Sequence, residues 1–396
     1  MPEPHHSIKA KFIKKPARGL KAAYYIAVEA IGWLFLWTCR LLRIIPPVLK
    51  YSKSRVRKIL IIRTDRIGDV ILSTPVVKAL RDYFPDSFIA FLTTPYTEEL
   101  VSENKDINDV ILYSRNASFA KKIRFFRMLK RYRFDLAVVL CPYFRAALLA
   151  YVSGAPVRIG YPANGSGFLY TIKVDQRNRY KHETEASLDV VRTIGIDTDD
   201  KRPQLQLSAR ASKYADDLCS KEGISSSDLI IGIHPGGHQR HTRWPADRYA
   251  ETANVLISHY EAKVILLGGS GDKRIIDEIL SCMPTRPIVP DLGNSLQNLA
   301  AIIKRCNIFL GNNSGPMHVA SAVGTPVVAI FGPVHPLEHE NKWLPLGEEH
   351  MVVRKKMDCT DCHPGHCKGM ECISAVTVED VIEALDIQIS RTTGKL

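Results

Sequence analysis

From Arg57 onward, short apolar runs alternate with stretches whose apolar residues recur at helical spacing. The runs Lys58 to Arg63, Ser87 to Leu92, Val110 to Leu112, Leu136 to Leu140 and Val157 to Gly160 have the length and bounds of buried strands. Between them, Val70 to Tyr83, Tyr96 to Asn104, Phe119 to Tyr132 and Phe144 to Ser153 read as helices. This βα alternation predicts a mostly parallel sheet covered by helices. Residues Tyr161 to Tyr180, rich in Gly, Asn and Tyr, read as a mobile loop rather than core.

A second series begins after Arg202-Pro203. Strands are expected at Leu229 to His234, Lys263 to Leu267, Ile288 to Asp291, Ile308 to Gly311 and Val327 to Ile330. Helices are expected at Ala209 to Glu222, Ala246 to Tyr260, Lys273 to Cys282, Leu296 to Lys304 and Pro316 to Val323. Thr377-Val-Glu-Asp380 is a capping-box start for a last helix, Val378 to Ser390. At 396 residues the chain is too long for one ordinary core. The pattern divides it into an N-terminal segment 1–55, a βα domain 56–200, a second βα domain 201–375 and a C-terminal helix 376–396. Two successive βα domains joined near residues 195–205 imply a cleft between them.

Charge changes the picture at one end only. Of a net +13, residues 1–60 supply +11, with thirteen Lys and Arg against Glu3 and Glu29. The rest is nearly neutral, so basicity belongs to the N-terminus. There, six basic residues precede the apolar stretch Ala22 to Cys39, which Glu29 interrupts, and Arg40, Arg43 and Pro46-Pro47 follow. No small-x-small cleavage site follows Trp33 to Trp37, which argues against a signal peptide. Eighteen residues fall just short of the roughly 20 that a spanning helix needs. Because both flanks are basic, spanning would push one of them outward against the positive-inside tendency. An interfacial helix on the cytoplasmic face of a membrane is favoured over a single span or a plain buried helix.

Five of nine cysteines (Cys39, Cys141, Cys219, Cys282, Cys306) are scattered singly, the usage of a reducing compartment rather than a disulfide framework. The other four form Cys359-x2-Cys362-x4-Cys367-x4-Cys372. Four thiolates at that spacing can close a tetrahedral structural zinc site. Free thiols or a disulfide pair are the alternatives, and His363 and His366 are substitute ligands. Phe119 to Arg133 holds seven basic residues and no acid, which suits a solvated helix face equally with a contact to an anionic glycan or membrane.

Candidate chemistry gathers where strands run into helices. The strand ending near Ile62 empties into Arg63-Thr-Asp-Arg-Ile-Gly-Asp69, placing Asp69 at a helix mouth with its unpaired N–H groups and partial positive charge. In the second half, His234-Pro-Gly-Gly237 follows one strand, with Arg240, Thr242 and Arg243 behind it. Gly268-Gly-Ser-Gly271 follows the next strand, and Asn312-Asn-Ser-Gly-Pro-Met-His318 follows another, with Pro316 suited to a first helical turn. Glycines allow a phosphate to approach the backbone, and the cations neutralise it. Three such seats at the carboxyl ends of successive strands point to a nucleotide diphosphate, although each alone is only a common turn.

These motifs together resemble glycosyltransferase family 9, the ADP-heptose:lipopolysaccharide heptosyltransferases, over about residues 57–390. The resemblance is carried by Arg63 to Val70 with Thr74-Pro75 and Ala79-Leu80-Arg81, by His182-Glu183, and by His234 to Gly237 with Arg243-Trp244-Pro245. It continues through Asn313 to His318 and Gly324-Thr325-Pro326. It implies an α/β GT-B fold of two Rossmann-like doubly wound domains facing a cleft, behind an N-terminal membrane-associating helix. It further implies inverting transfer of a heptose or related sugar from an ADP-sugar to a lipid-linked, lipopolysaccharide core-type glycan at the inner membrane, with no cofactor required for catalysis.

Asp69 matches the family's proposed general base, and Asp65 is the competing candidate. A carboxylate at a helix N-terminus is expected to ionise easily and act as a modest base whose benefit lies in its placement. Donor-side residues would be His234, Gly236, Gly237, Arg240, Thr242, Arg243, Gly268, Asn313, Ser314, Gly315, Met317 and His318. Acceptor-side residues would be Arg63, Arg66 and Gly68, with Lys122 and Arg124 from the basic helix. Two departures stand out. The family's phosphate-holding Lys is Thr242 here, with Arg243 or Arg240 as its replacement, and an acidic nucleotide ligand is replaced in Asn313-Ser314-Gly315. A nucleic-acid-binding protein built on a zinc knuckle at Cys359 to Cys372 explains less, since the basic residues adjoin an apolar helix and no Arg and aromatic platform stands beyond residues 119–134. A sugar-nucleotide epimerase on the same fold is the third reading.

Overall fold

The computed structural model describes residues 17–41, 51–175, 181–237, 239–332, 340–357, 367 and 370–393. After α1 (Ala17–Leu41), the first domain runs β1 (Lys58–Ile62), α2 (Ile67–Leu72), α3 (Thr74–Tyr83), β2 (Phe88–Thr93), β3 (Asp109–Leu112), α4 (Phe119–Arg131) and β4 (Leu136–Val139). It continues with α5 (Phe144–Val152), β5 (Val157–Gly160), β6 (Ile172–Lys173) and α6 (Glu183–Arg192). The second domain comprises α7 (Ala209–Lys221), β7 (Ile230–His234), α8 (Ala246–Tyr260), β8 (Lys263–Leu266), α9 (Lys273–Ser281), α10 (Leu296–Arg305), β9 (Ile308–Asn312) and α11 (Gly315–Ala322). It closes with β10 (Val327–Ile330), α12 (Glu340–Trp343), β11 (Met351–Val353), α13 (Glu371–Ser374) and α14 (Val378–Thr393).

Both sheets are parallel, as the alternation predicts. The first has the order β3-β2-β1-β4-β5-β6 and the second β11-β10-β9-β7-β8. In each, the strand order reverses once, at β1/β4 and at β7/β9, and an open α/β sheet has its ligand crevice at such a switch point. The turn after β1 leads into α2, whose first turn carries Asp69, and the segments after β7 and β9 carry two of the three glycine-rich seats.

One buried cluster runs from Ile59, Ile61 and Phe91 through Val70 and Val76 into Ile303, Phe309, Met317 and Val319, so the two domains share apolar packing behind the cleft. Each fully buried aliphatic side chain in it contributes about 1.5–3 kcal/mol. Glu99 fastens the front. Its carboxylate accepts from Ser295 Oγ at 2.8 Å and Gln297 N at 2.9 Å, capping α10 from the opposite domain.

Several expectations need correction. The single helix expected from Val70 to Tyr83 breaks at Ser73, because Pro75 has no N–H for the preceding turn; Thr74 Oγ1 instead donates to Ile71 O at 2.8 Å. The helix expected from Tyr96 to Asn104 shrinks to a 3-10 turn at Glu98–Leu100, where Glu99 serves α10. The strand expected at Ile288 to Asp291 is one bridge, Ile265 to Ile288, since Pro287 and Pro290 withhold ladder donors.

Within 161–175, the expected loop instead adds β6 to the sheet edge and buries Leu169 and Tyr170. Residues 176–180 lie outside the described ones. The capping box of α14 is as expected, with Thr377 N on Asp380 Oδ2 at 2.8 Å and Asp380 N on Thr377 Oγ1 at 3.3 Å.

Helix α1 lies on the first domain, where glycines make room for it. A Cβ at Gly32 would stand 2.6 Å from the Phe168 ring. Lys173 Nζ pairs with Glu29 at 3.1 Å and lies 5.3 Å from the centre of the Trp33 ring. Tyr24, Ile26, Ile31 and Leu34 are left 63–69% exposed. Among the described residues no helix is long and apolar enough to cross a membrane.

Candidate active site

The two domains enclose a cleft of about 1280 Å³ between the switch points. That exceeds the roughly 300–1,000 Å³ of a drug-sized pocket and leaves room for two substrates. Its walls meet where α2 and α11 start. A Cβ on Gly68 would lie 2.7 Å from His318 Cδ2, and one on Gly315 would lie 2.7 Å from Ile67 Cβ. Both positions need glycine because the two helix N-termini come this close.

On the first wall, the backbone leaving β1 buries Arg63 completely. An isolated buried guanidinium is costly, and this one is surrounded by acceptors. Arg63 Nη2 donates to Asp69 Oδ1 at 2.8 Å and to Glu183 Oε1 at 2.7 Å, Nε is 3.4 Å from Asp65 Oδ2, and Nη1 donates to Leu140 O. Lys342 of α12 reaches across from the second domain to Glu183 Oε2 at 2.6 Å. Three carboxylates thus surround two cations in a buried site, and burial and charge together set their protonation.

Burial pushes the Asp69 carboxyl above the ordinary carboxylate range, and the Glu183 charge adds to this against the pull of Arg63. Asp65 is pushed up to about 6, first by burial and then by its neighbouring carboxylates, with Arg63 opposing. Glu183 goes the other way: burial would raise it, but Arg63 and Lys342 outweigh burial and hold it low. Asp69 is therefore a stronger base than its helix position alone predicts, a correction to the easily ionised carboxylate expected from the sequence. Its side chain is 18% exposed, against 6% for Asp65.

The acceptor-side expectations divide. Arg66 and Gly68 line the cleft. Arg63 does not meet a ligand, because its guanidinium is consumed by the carboxylates beneath the surface. Lys122 and Arg124 sit on α4, away from the cleft lining. Arg115 and Tyr143 do line it, and neither was marked by a motif.

On the second wall, Asn312 at the end of β9 fixes the glycine loop. Its Nδ2 donates to Pro235 O at 2.8 Å and Gly236 O at 3.1 Å, while its Oδ1 accepts from Trp244 N at 3.0 Å and Tyr249 OH at 2.9 Å. All four of its side-chain hydrogen-bonding positions are filled, by groups 63 to 77 residues away along the chain that no local pattern marks. His234 Nε2 stands 3.6 Å from Asp272 Oδ2. Burial would raise the Asp272 carboxyl, but His234, the Gly269 N–H and Arg243 outweigh burial and hold it low.

Gly237, Thr242, Arg243, Asn313, Ser314, Gly315 and His318 reach the cleft. The Thr242 hydroxyl is tied to Gln239 O at 2.9 Å, whereas Arg243, anchored by Nε to Gly237 O at 2.7 Å, brings a cation to the lining. Ser314 Oγ and His318 Nδ1 are buried without a partner at the start of α11. Burial pushes His318 down to about 3, so its ring is neutral.

Three expected donor residues do not line the cleft. Met317 is wholly buried core, Gly236 packs against Asp272, and Gly268 packs against Ile276 while Gly269, Ser270 and Gly271 face the cleft. The Arg240 side chain lies outside the described residues, as do Cys359 and Cys362. Of the other two cysteines, Cys367 Sγ accepts from Met370 N at 3.3 Å. Among the described residues no group of three His, Cys, Asp or Glu is arranged to hold a metal.

The family profile described as glycosyltransferase family 9 (heptosyltransferase) matches residues 122–372. Lipopolysaccharide heptosyltransferase 2 of Escherichia coli K12 is 27% identical over 354 residues, covering 84% of this chain and 99% of the relative. Lipopolysaccharide heptosyltransferase 3 of the same strain is 26% identical, covering 81% and 94%. Among solved structures, a family 9 glycosyltransferase from Veillonella parvula superposes with a TM-score of 0.73 at 25% identity, covering 85% of this chain and 97% of its own. The E. coli ADP-heptose lps heptosyltransferase II gives 0.70 at 25% identity, covering 84% and 99%.

Proposed function

The chain belongs to glycosyltransferase family 9, and from that premise we propose that it moves a heptose, or a related sugar, from an ADP-sugar to a lipopolysaccharide core-type acceptor with inversion, Asp69 acting as general base. The observation that carries this reading is the opposition of two walls. A buried, proton-seeking carboxylate stands on one, and a helix N-terminus with unsatisfied polar groups stands on the other.

An acceptor hydroxyl entering past Arg66, Arg115 and Tyr143 meets Asp69. Oδ1 of that carboxylate is held by Arg63, while Oδ2 has only a 3.4 Å contact from Arg66 N and is the oxygen that takes the proton. As the hydroxyl oxygen bonds to the anomeric carbon, the bond from that carbon to the diphosphate breaks and its electron pair leaves with the phosphate. The negative charge that develops is met by the start of α11, the Ser314 hydroxyl and Arg243. Leu292, Leu296 and Leu299, on the same wall, offer an apolar seat for the nucleobase. Attack from one wall and departure toward the other is the geometry of inversion.

Replacing Asp69 by Ala is expected to lower transfer at least about 100-fold with ADP binding retained, the scale of a lost general base. Turnover near the wild-type rate would assign the proton to another group, with Asp65 next in line. An epimerase would convert the donor with no acceptor present, so product analysis with donor alone separates the two activities.

For location, we propose the cytoplasmic face of the inner membrane. In support, the outward side of α1 carries exposed Tyr and aliphatic residues, and Leu148 of α5 and Phe119 of the basic α4 are exposed too.

A further inference from the structure

We propose that Lys342 of the second domain is a positioning residue for the base, acting on Asp69 through Glu183 and Arg63, so that the base is competent only while α12 is seated on α6. The inference rests on Asp69 being the base. Its geometry is a chain of short contacts. Arg63 Nη2 is divided between Asp69 Oδ1 at 2.8 Å and Glu183 Oε1 at 2.7 Å, and the second oxygen of Glu183 is taken by Lys342 at 2.6 Å. The side chains of Arg63, Glu183 and Lys342 are 1%, 13% and 11% exposed, so solvent screens these contacts little. The seating has a second fastening, in which His182 Nε2 lies 2.8 Å from Leu344 O, one residue past α12.

Asp69 and Glu183 each accept from Arg63 Nη2, whose two N–H bonds serve both, so the two carboxylates share one guanidinium charge. With Lys342 in place, the Glu183 charge is met from the other side and Arg63 can serve Asp69. Without it, Glu183 draws Arg63 and repels the Asp69 charge, and the proton stays on the base. The other groups facing this carboxylate do not replace Lys342. Asp65 is a third acid, Tyr143 before α5 is a phenol, His318 on α11 is neutral, and Arg66 lends its backbone N–H. Trp343, next to Lys342, lines the cleft with its ring 6.1 Å from that of His318. A donor seated against Trp343 would touch the same short helix that holds Glu183, which gives donor binding a route to the base.

The test is the pH profile of ADP release from ADP-heptose with a core acceptor, in the full-length protein. Asp69 works deprotonated, so the acid limb marks its pKa. In Lys342→Met the limb is expected to move up by about one pH unit, the low end of what a neighbouring charge does, with activity recovering above it. In Glu183→Gln it is expected to move down, and in the double variant to fall below that of Lys342→Met. Lys342→Arg should keep the wild-type limb.

A Lys342→Met profile lowered by the same factor at every pH, or a double variant indistinguishable from it, overturns the proposal in favour of a purely structural ion pair. Should Lys342→Met not fold, an unmoved limb in Glu183→Gln overturns it equally. The base assignment fails separately, by turnover in Asp69→Ala.

Discussion

At the scale of single residues, the proposed base Asp69 and the Arg63 beneath it are tied by charge. Because burial and Glu183 raise Asp69, the rate should fall as pH drops through a value above the ordinary carboxylate range, and the acid limb of kcat/KM is expected there. A limb near 4 would mean that the base is solvated and unperturbed. Arg63 balances three carboxylates from inside, so Arg63→Leu leaves them facing one another. A loss of about 3–5 kcal/mol of unfolding free energy is expected in urea titration, as for other buried pairs deprived of one partner. Asp69 was legible in the sequence because a helix start after a strand is a local feature. Its elevated proton affinity was not, since Glu183 is 120 residues from Arg63 and Lys342 a further 159 from Glu183.

Among the elements, the close approach of α2 and α11 is the feature that makes one site from two domains. Gly315→Ala would put a methyl 2.7 Å from Ile67 Cβ, an atom that moves only with its own backbone, so α2 or α11 must shift. The expected cost is about 1–3 kcal/mol of overpacking, read in thermal unfolding, together with at least about a tenfold loss of transfer. Unchanged transfer would show that the walls need not meet during turnover. Most strands and helices could be read from periodicity, down to the limits of α8, β5 and β10. The misreadings fell where a tertiary contact or a proline overrode a local pattern. Glu99 left its expected helix to cap α10, Pro75 split α2 from α3, and β6 formed because an existing sheet edge accepted two residues.

For the molecule as a whole, charge and apolar exposure are unevenly placed. The basic residues of α4 and the outward side of α1 belong to the first domain, the wall that carries Asp69. The pair Ile26→Glu with Leu34→Glu should release the full-length protein from vesicles containing anionic phospholipid, with transfer to a soluble acceptor unchanged. Equal sedimentation of variant and wild type would sink the membrane assignment. Higher salt should also weaken binding, since each basic side chain near such a surface contributes about 1 kcal/mol that ions screen.

The sequence alone determined what depends on neighbours along the chain: two parallel βα domains, the helix mouth at Asp69, the glycine seats after β7, β8 and β9, and the family. Tertiary structure decided which groups share a charge. It buried Arg63 under three carboxylates, brought Lys342 to Glu183, and removed Met317, Gly268 and Gly236 from the donor surface. Hydrophobic period and turn chemistry act over a few residues and leave a record in the sequence. Electrostatic coupling acts over a few ångströms between segments more than a hundred residues apart, and only the assembled fold sets those distances.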